Sequence, residues 1–282
     1  MIKVLSPGLQ SSLQDGGRYG YRSFGVPWSG PMDSFSAGLA RELVQNDENA
    51  TILEFYQKGP KLKFQKSAII SVTGMHFQLL INDKPKPLFT AQMVRKGQTV
   101  EIKSTAACNF GYLAVSGGID AEQRLGSSSY CPGITDQQRL KKDQELRFFD
   151  SDLNLSKLNA RIKPNAEIFQ TDTIHVMPGP EYELLSEAQR EILRNKSHKL
   201  SRSISRMGYR FRANAKLGLD GILTGPVQAG TLQLTPAGEL IVLMRDAQTT
   251  GGYSRVLQLL PDDISILAQQ LPGTALKFKL FE

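Results

Sequence analysis

Short apolar runs, each cut off by glycine, proline or a polar turn, constrain this chain more than any other feature. Ile2–Leu5, Ile52–Tyr56, Lys61–Phe64, Ala68–Val72, Phe77–Asn82, Thr99–Lys103, Gly111–Val115 and Glu145–Phe149 read as strands. Gly59-Pro60, Lys96-Gly97 and Gly117-Gly118 interrupt them. A second series follows at Ile174–Met177, Thr231–Thr235, Leu240–Met244, Arg255–Leu259 and Leu276–Phe281. Strands this short, with few helices to cross between them, predict a mainly β protein of barrels or sandwiches rather than a doubly wound parallel sheet. Three helices are expected. Met32–Gln45 carries Phe35, Leu39 and Leu43 on one face, and Glu181–Asn195 carries Leu185, Ala188 and Ile192. Ile264–Leu271 follows Asp262 and Asp263, whose carboxylates suit a helix N-terminus, and Pro272-Gly273 stops it.

The polar stretch 151–166 reads as a linker between a half spanning 1–150 and a half spanning 167–282. The halves echo each other. Ile2-Lys-Val-Leu-Ser-Pro-Gly8 resembles Ile174-His-Val-Met-Pro-Gly179, and Arg18-Tyr-Gly-Tyr-Arg22 resembles Arg206-Met-Gly-Tyr-Arg210. Duplication and chance account equally well for echoes this short; duplication would give two related barrel-like halves.

Composition removes several classes. The net charge of +7 raises nucleic acid as a partner. The basic clusters, however, lack interleaved aromatics for base stacking, so an anionic small substrate or acidic protein is expected instead. No apolar run reaches membrane-spanning length, and the N-terminus does not read as a secretory leader. Two cysteines, Cys108 and Cys131, make no disulfide framework, and a cytoplasmic location is the simplest expectation. The three histidines, His76, His175 and His198, are too few and scattered to suggest a triad or metal site. There is no phosphate-binding G-x-x-x-x-G-K-[ST] run.

Two polar clusters remain. Gln14-Asp15-Gly-Gly-Arg18-Tyr-Gly-Tyr21-Arg22 continues to Ser29, Met32 and Asp33. Arg18 offers a planar fork for a carboxylate, and Asp15 and Asp33 could act as bases or orient that arginine. A glycine-rich connector held by Asp–Arg pairs fits these residues too. The second cluster, Asp246-Ala-Gln248-Thr249-Thr250-Gly251-Gly252-Tyr253, leaves the end of an apolar strand. Its carboxylate, amide and hydroxyls stand ahead of paired glycines, a pattern suited to a polar ligand but also to a hairpin loop.

The chain resembles the KipI-antagonist family, the group of urea-amidolyase-like carboxyltransferases that includes the C subunit of 5-oxoprolinase. Ser6-Pro-Gly8, Gln14-Asp15-x-Gly17-Arg18-x-Gly20-Tyr21, Gly25-Val-Pro27-x-Ser29-Gly30-x-Met32-Asp33 and Glu54 with Gly59-Pro60 carry the resemblance. Tyr112–Ile119, Arg206–Tyr209, Gly230–Gln233 and Asp246–Tyr253 extend it through the chain. The resemblance implies a cyclophilin-like β-barrel architecture. It implies a cytoplasmic enzyme component that works with a KipI-like partner (the 5-oxoprolinase B subunit) and a LamB/YcsF-like one (its A subunit). The complex would use ATP and magnesium to open 5-oxoproline, with no metal held by this chain. A biotin-dependent carboxyltransferase for urea or another amide, and a regulatory module binding the KipI-like protein, are the alternatives. Asp15, Asp33 and Asp246 become the expected catalytic residues. Gln14, Arg18, Tyr21, Ser29, Arg206, Gln233, Gln248, Thr249, Thr250, Gly251, Gly252 and Tyr253 become expected contacts to a small amide or lactam. Arg41, Ser128, Tyr130, the segment 135–145 and Leu240 depart from the family pattern, so 126–145 is expected to serve a different substrate or partner contact.

Overall fold

The computed structural model describes residues 1–136, 139–152 and 167–281. They form two compact units. Residues 1–18 with 29–136 and 139–152 make the first, and residues 19–28 with 167–281 make the second. Tyr19–Trp28 belongs to the second unit although it lies early in the chain, which sequence order does not suggest. Most of the expected linker 151–166 lies outside the described residues.

The first unit is two antiparallel sheets. One runs in the order Ile119–Asp120, Glu145–Phe148, Ile2–Ser6, Lys61–Phe64, Thr99–Ser104, Phe77–Ile81, Lys84–Lys86. The other runs Gln10–Gln14, Ile52–Tyr56, Phe110–Val115, Ala68–Thr73, Gln92–Val94. Ile2, Phe64 and Leu79 from one sheet and Leu13, Phe55, Val72 and Leu113 from the other share one buried cluster, as in a sandwich. Lys61–Phe64 alternates buried and solvated positions, whereas Phe110–Val115 is buried at every position. Helix α1 (Ser34–Glu42) lies against that strand and explains the difference.

The face α1 buries is not the expected one. Ser36, Ala37, Ala40 and Arg41 turn inward, while Phe35 is 46% exposed. Small residues let the helix approach the sheet until Thr73 Oγ1 donates to Ser36 O at 2.7 Å and Ser71 Oγ donates to Ala40 O. Asp33 caps the helix by accepting from Ser36 N at 3.0 Å.

The second unit contains a closed barrel. Its strands follow the order Thr173–Pro178, Ser254–Leu259, Thr231–Leu234, Leu240–Leu243, Gly208–Phe211, His198–Ile204, Ala275–Leu280, and the last pairs with the first in parallel. Val176, Leu200, Phe211, Leu232, Val242, Leu257 and Phe278 are buried. A separate ribbon, Gly225–Pro226 with Thr250–Gly251, stands beside the barrel strands in sequence. The helix expected over 181–195 is a 3-10 turn, Tyr182–Leu184, followed by α2 (Glu187–Asn195). Ser186 and Gln189 form a reciprocal capping box that restarts the chain; Leu193, not Ala188, is its buried residue. The last helix, α3 (Pro261–Ala268), begins three residues earlier than expected because proline is well suited to the first helical turn. Among the described residues no helix is long and apolar enough to cross a membrane.

Only part of the internal echo has structural content. A Cβ on Gly8 would lie 2.2 Å from Lys58 O, and one on Gly179 would lie 2.2 Å from Arg255 O, so each Pro-Gly passes tightly over a backbone. Arg18–Arg22 ends at a 3-10 turn, Arg22–Phe24, whereas Arg206–Arg210 enters a strand.

Candidate functional site

In the first unit, the chain leaving Gln10–Gln14 places Asp15 against the loop Ser127–Ser129. Asp15 Oδ1 accepts from Gly17 N (2.9 Å), Ser127 Oγ (2.6 Å) and Ser129 Oγ (2.7 Å). Asp15 Oδ2 accepts from Ser128 N (2.7 Å) and Ser128 Oγ (3.2 Å). Burial pushes the carboxyl pKa up, but these bonds outweigh it and hold the group below the usual carboxylate range. Arg18, completely buried, faces the same loop: Nε donates to Arg124 O at 2.9 Å, and Nη2 donates to Ser127 O at 3.3 Å and Ser129 O at 2.8 Å. Both side chains therefore grip one loop, which sequence reasoning did not connect to them. Ser128, a departure from the family pattern, also shares a 2.6 Å hydrogen bond with Thr51 Oγ1. Arg41, another departure, donates to Ala50 O at 2.8 Å; burial lowers its pKa, and the Asp15 charge opposes that.

Asp33 and Ser29 sit further along. The backbone of Met32 donates to Glu54 Oε2 (2.7 Å), that of Asp33 to Tyr112 OH (2.8 Å), and Tyr112 OH donates to Glu54 Oε2 (2.9 Å). Burial, with Glu54 and Asp33 nearby, pushes the Tyr112 phenol well up. Gln14 and Ser29 are buried, and Gln14 Nε2 donates to Ser12 Oγ at 3.0 Å.

In the second unit, Arg206 and Asp246 meet bidentately, Nε to Oδ2 at 2.6 Å and Nη2 to Oδ1 at 3.0 Å, with Asp246 N donating to Arg206 O at 2.8 Å. Sequence reasoning named both residues but not their pairing. Beyond Asp246 the chain runs antiparallel to 222–227: Val227 N donates to Thr249 O, Pro226 pairs with Thr250, Gly225 with Gly251, and Ile222 N donates to Gly252 O. The side chains of Gln248, Thr249 and Thr250 make no hydrogen bond among the described residues, and Tyr253 is 43% exposed. Gln233 reaches this ribbon from the barrel, its Nε2 donating to Tyr253 O at 3.3 Å; a Cβ on Gly251 would come within 2.6 Å of that nitrogen. Glycine is what lets the amide sit there.

Glu181 and Arg255, absent from the sequence reading, brace the same place. Arg255 Nη2 and Nε donate to Glu181 at 2.7 and 2.9 Å, and Nη1 donates to Pro226 O at 2.9 Å. The hydrogen bond from Arg255 holds the Glu181 carboxyl below its usual range. Tyr21, the remaining expected contact, lies in Tyr19–Trp28, where its carbonyl accepts from Phe24 N and Val26 N. Among the described residues no group of three or more His, Cys, Asp or Glu could hold a metal. Cys108 is buried, and that burial pushes its thiol up to about 11, which disfavours a nucleophilic role.

The two units and their polar clusters belong to a known class of fold. The chain is a member of the carboxyltransferase domain, subdomain A and B family, whose model matches residues 24–280. It is similar to the C subunit of 5-oxoprolinase from Haemophilus influenzae, 30% identical over 99% of this chain and 91% of that protein. It is similarly related to the C subunit of 5-oxoprolinase from Escherichia coli, 31% identical over 99% of this chain and 90% of the relative. Urea amidolyase of Lachancea kluyveri is 40% identical over 45% of this chain and 7% of its own length. Among solved structures, TTHA0988 superposes with a TM-score of 0.88 at 27% identity, covering 99% of this chain and 55% of that one. Kluyveromyces lactis urea carboxylase superposes with a TM-score of 0.87 at 25% identity, covering all of this chain and 27% of that one.

Proposed function

We propose that the chain is the C subunit of an ATP-dependent 5-oxoprolinase, which opens 5-oxoproline to glutamate. Its partners in that assembly are a KipI-like protein in the role of the B subunit, with a LamB/YcsF-like protein as the A subunit. The observation that carries this reading is near-full-length similarity, in both directions, to two proteins named as C subunits of 5-oxoprolinase. In the complex, phosphorylation activates the lactam carbonyl and water then opens the ring; ATP with magnesium is a co-substrate of the assembly.

The geometry favours the second unit for substrate contact. Gln248, Thr249 and Thr250 present polar groups with no hydrogen-bond partner among the described residues, Gly251 and Gly252 permit close approach, and Gln233 and Tyr253 flank them. Arg206 and Asp246 supply a paired charge at the start of the ribbon. Asp15, Arg18 and Asp33 each carry several structural bonds, which supports a scaffold role for them. Glutamate release from 5-oxoproline and ATP, by this chain reconstituted with its two partner proteins, tests the reading. Release that disappears when this chain is omitted is expected; no release from a verified, folded complex refutes it.

A carboxyltransferase acting on urea or another amide is the second reading, favoured by the superposition on urea carboxylase. It requires biotin on a separate carrier and predicts carboxybiotin-dependent carboxylation in place of ATP-dependent ring opening.

A further inference from the structure

Arg22 is half-buried, yet no carboxylate opposes it among the described residues. Its neighbours in the second unit behave otherwise: Arg206 is matched by Asp246 and Arg255 by Glu181. Removing a guanidinium from water without a counter-charge is unfavourable, and burial lowers the Arg22 pKa accordingly. The fold nevertheless fixes this group. Its Cζ lies 4.7 Å from the centroid of the Trp28 ring, and Tyr19 packs on that indole with ring centroids 5.7 Å apart. One nitrogen, Nη2, donates to Val227 O, the carbonyl of the residue whose amide holds Thr249. The guanidinium is thus moored on the ribbon, beside side chains that have no hydrogen-bond partner among the described residues, with most of its five donors uncommitted there.

We infer that Arg22, set by Trp28, is the anion-recognising residue of this site and takes the carboxylate of a small substrate whose amide lies along Gln248–Gly252. The inference rests on reading the ribbon as the substrate site. It transfers to Arg22 the fork expected at Arg18, whose Nε and Nη2 are committed to backbone carbonyls. An arginine that meets its counter-ion only in the complex explains both the missing carboxylate and the rigid mooring.

Trp28 is the only tryptophan of the chain, so its fluorescence reports on this place. The purified full chain is titrated with 5-oxoproline, with 2-pyrrolidinone (the same lactam without the carboxylate) and with acetate. Saturable change with 5-oxoproline, and binding of 2-pyrrolidinone weaker by about tenfold or more, is expected, because a charge-assisted hydrogen bond is lost. Equal response to both lactams, or no response to any of the three, overturns the inference, and this comparison needs no variant. In the reconstituted complex, Arg22→Gln is expected to raise KM about tenfold or more with kcat little changed, and Arg22→Lys to fall between. Turnover of 5-oxoproline with unchanged KM in Arg22→Gln overturns the inference and leaves the oxoprolinase reading standing. A wild-type complex that releases no glutamate, although Trp28 distinguishes the carboxylated lactam from the neutral one, overturns that reading and supports the role of Arg22.

Discussion

Asp15→Asn separates a loop latch from a catalytic base. The substitution keeps the shape of the side chain but turns one of its two acceptor oxygens into a donor. Each oxygen receives a backbone N–H that cannot reverse: Gly17 N at Oδ1, Ser128 N at Oδ2. Whichever way the amide is placed, its NH2 must face one of them, whereas the serine hydroxyls can rotate. The site is 5% exposed, so water does little to compensate. Hydrogen bonds to a charged group are worth about 1.5–3 kcal/mol each, and an orphaned buried donor costs about 1–3 kcal/mol. One lost backbone bond, one like-for-like clash and the weakening of the remaining bonds sum to roughly 3–5 kcal/mol, discounted for non-additivity. Urea unfolding followed by far-UV circular dichroism measures the loss, and hydrogen exchange at Ser128 locates it. Trp28 fluorescence, which reports on the second unit, should move less. A variant within about 0.5 kcal/mol of wild type, the range of ordinary surface changes, would refute the latch. Such a variant with full stability and collapsed turnover would identify Asp15 as a base instead.

Four further outcomes follow from the same geometry. Because the folded Asp15 pKa lies below its unfolded value, its stabilisation is present above about pH 4 and is lost as pH falls through the folded pKa; acid titration of Asp15→Asn should lack that component. His198, stacked on Phe278 at 5.3 Å, has its pKa lowered by burial, so its neutral form stabilises the barrel above about pH 6.5 and that contribution fades as pH drops towards the folded pKa. His198→Phe should flatten the slope of Trp28-monitored stability in that window. Gly179→Ala should destabilise the second unit by about 1–3 kcal/mol, because the new Cβ would sit 2.2 Å from Arg255 O; an unchanged midpoint argues against this packing. Asp246→Asn or Arg206→Met alone should cost about 1.5–3 kcal/mol by stranding a half-buried charge, and the double variant less than the sum; additive losses would deny the pairing.

Much of the strand pattern is written locally. Ile52–Tyr56 and Lys61–Phe64 have the bounds their residues predict, since apolar side chains and flanking turn residues agree on them. Gln10–Gln14 and His198–Ile204 escape such a reading because QSSLQ and HKLSRSI carry no clear apolar period. Their partners, Ile52–Tyr56 for one and Ala275–Leu280 for the other, supply the ladder that makes them strands. The candidate site divides in the same way. The run from Gln248 to Gly252 announces itself as polar groups crowded ahead of glycines. The grip of Asp15 on Ser127 spans 112 residues, and that of Arg22 on Val227 spans 205, so neither has a local signature. The amphipathic face of α1 misled for a related reason: closeness to the sheet, set by Ser71 and Thr73, selected small residues over large ones.

The excursion Tyr19–Trp28 means that neither unit is one continuous piece of chain. The excursion closes on itself at its base, where a Cβ on Gly30 would lie 3.5 Å from the Cα of Gly17. During synthesis, residues 19–28 emerge long before the barrel strands they belong with, and Trp28 must wait for Val227 to be made before its arginine is moored. Cutting the gene near residue 150 therefore leaves the C-terminal fragment without Arg22 and Trp28, and the N-terminal fragment with an orphaned aromatic loop. Adding a peptide of residues 19–28 to the C-terminal fragment is the complementation experiment that this interleaved connectivity calls for.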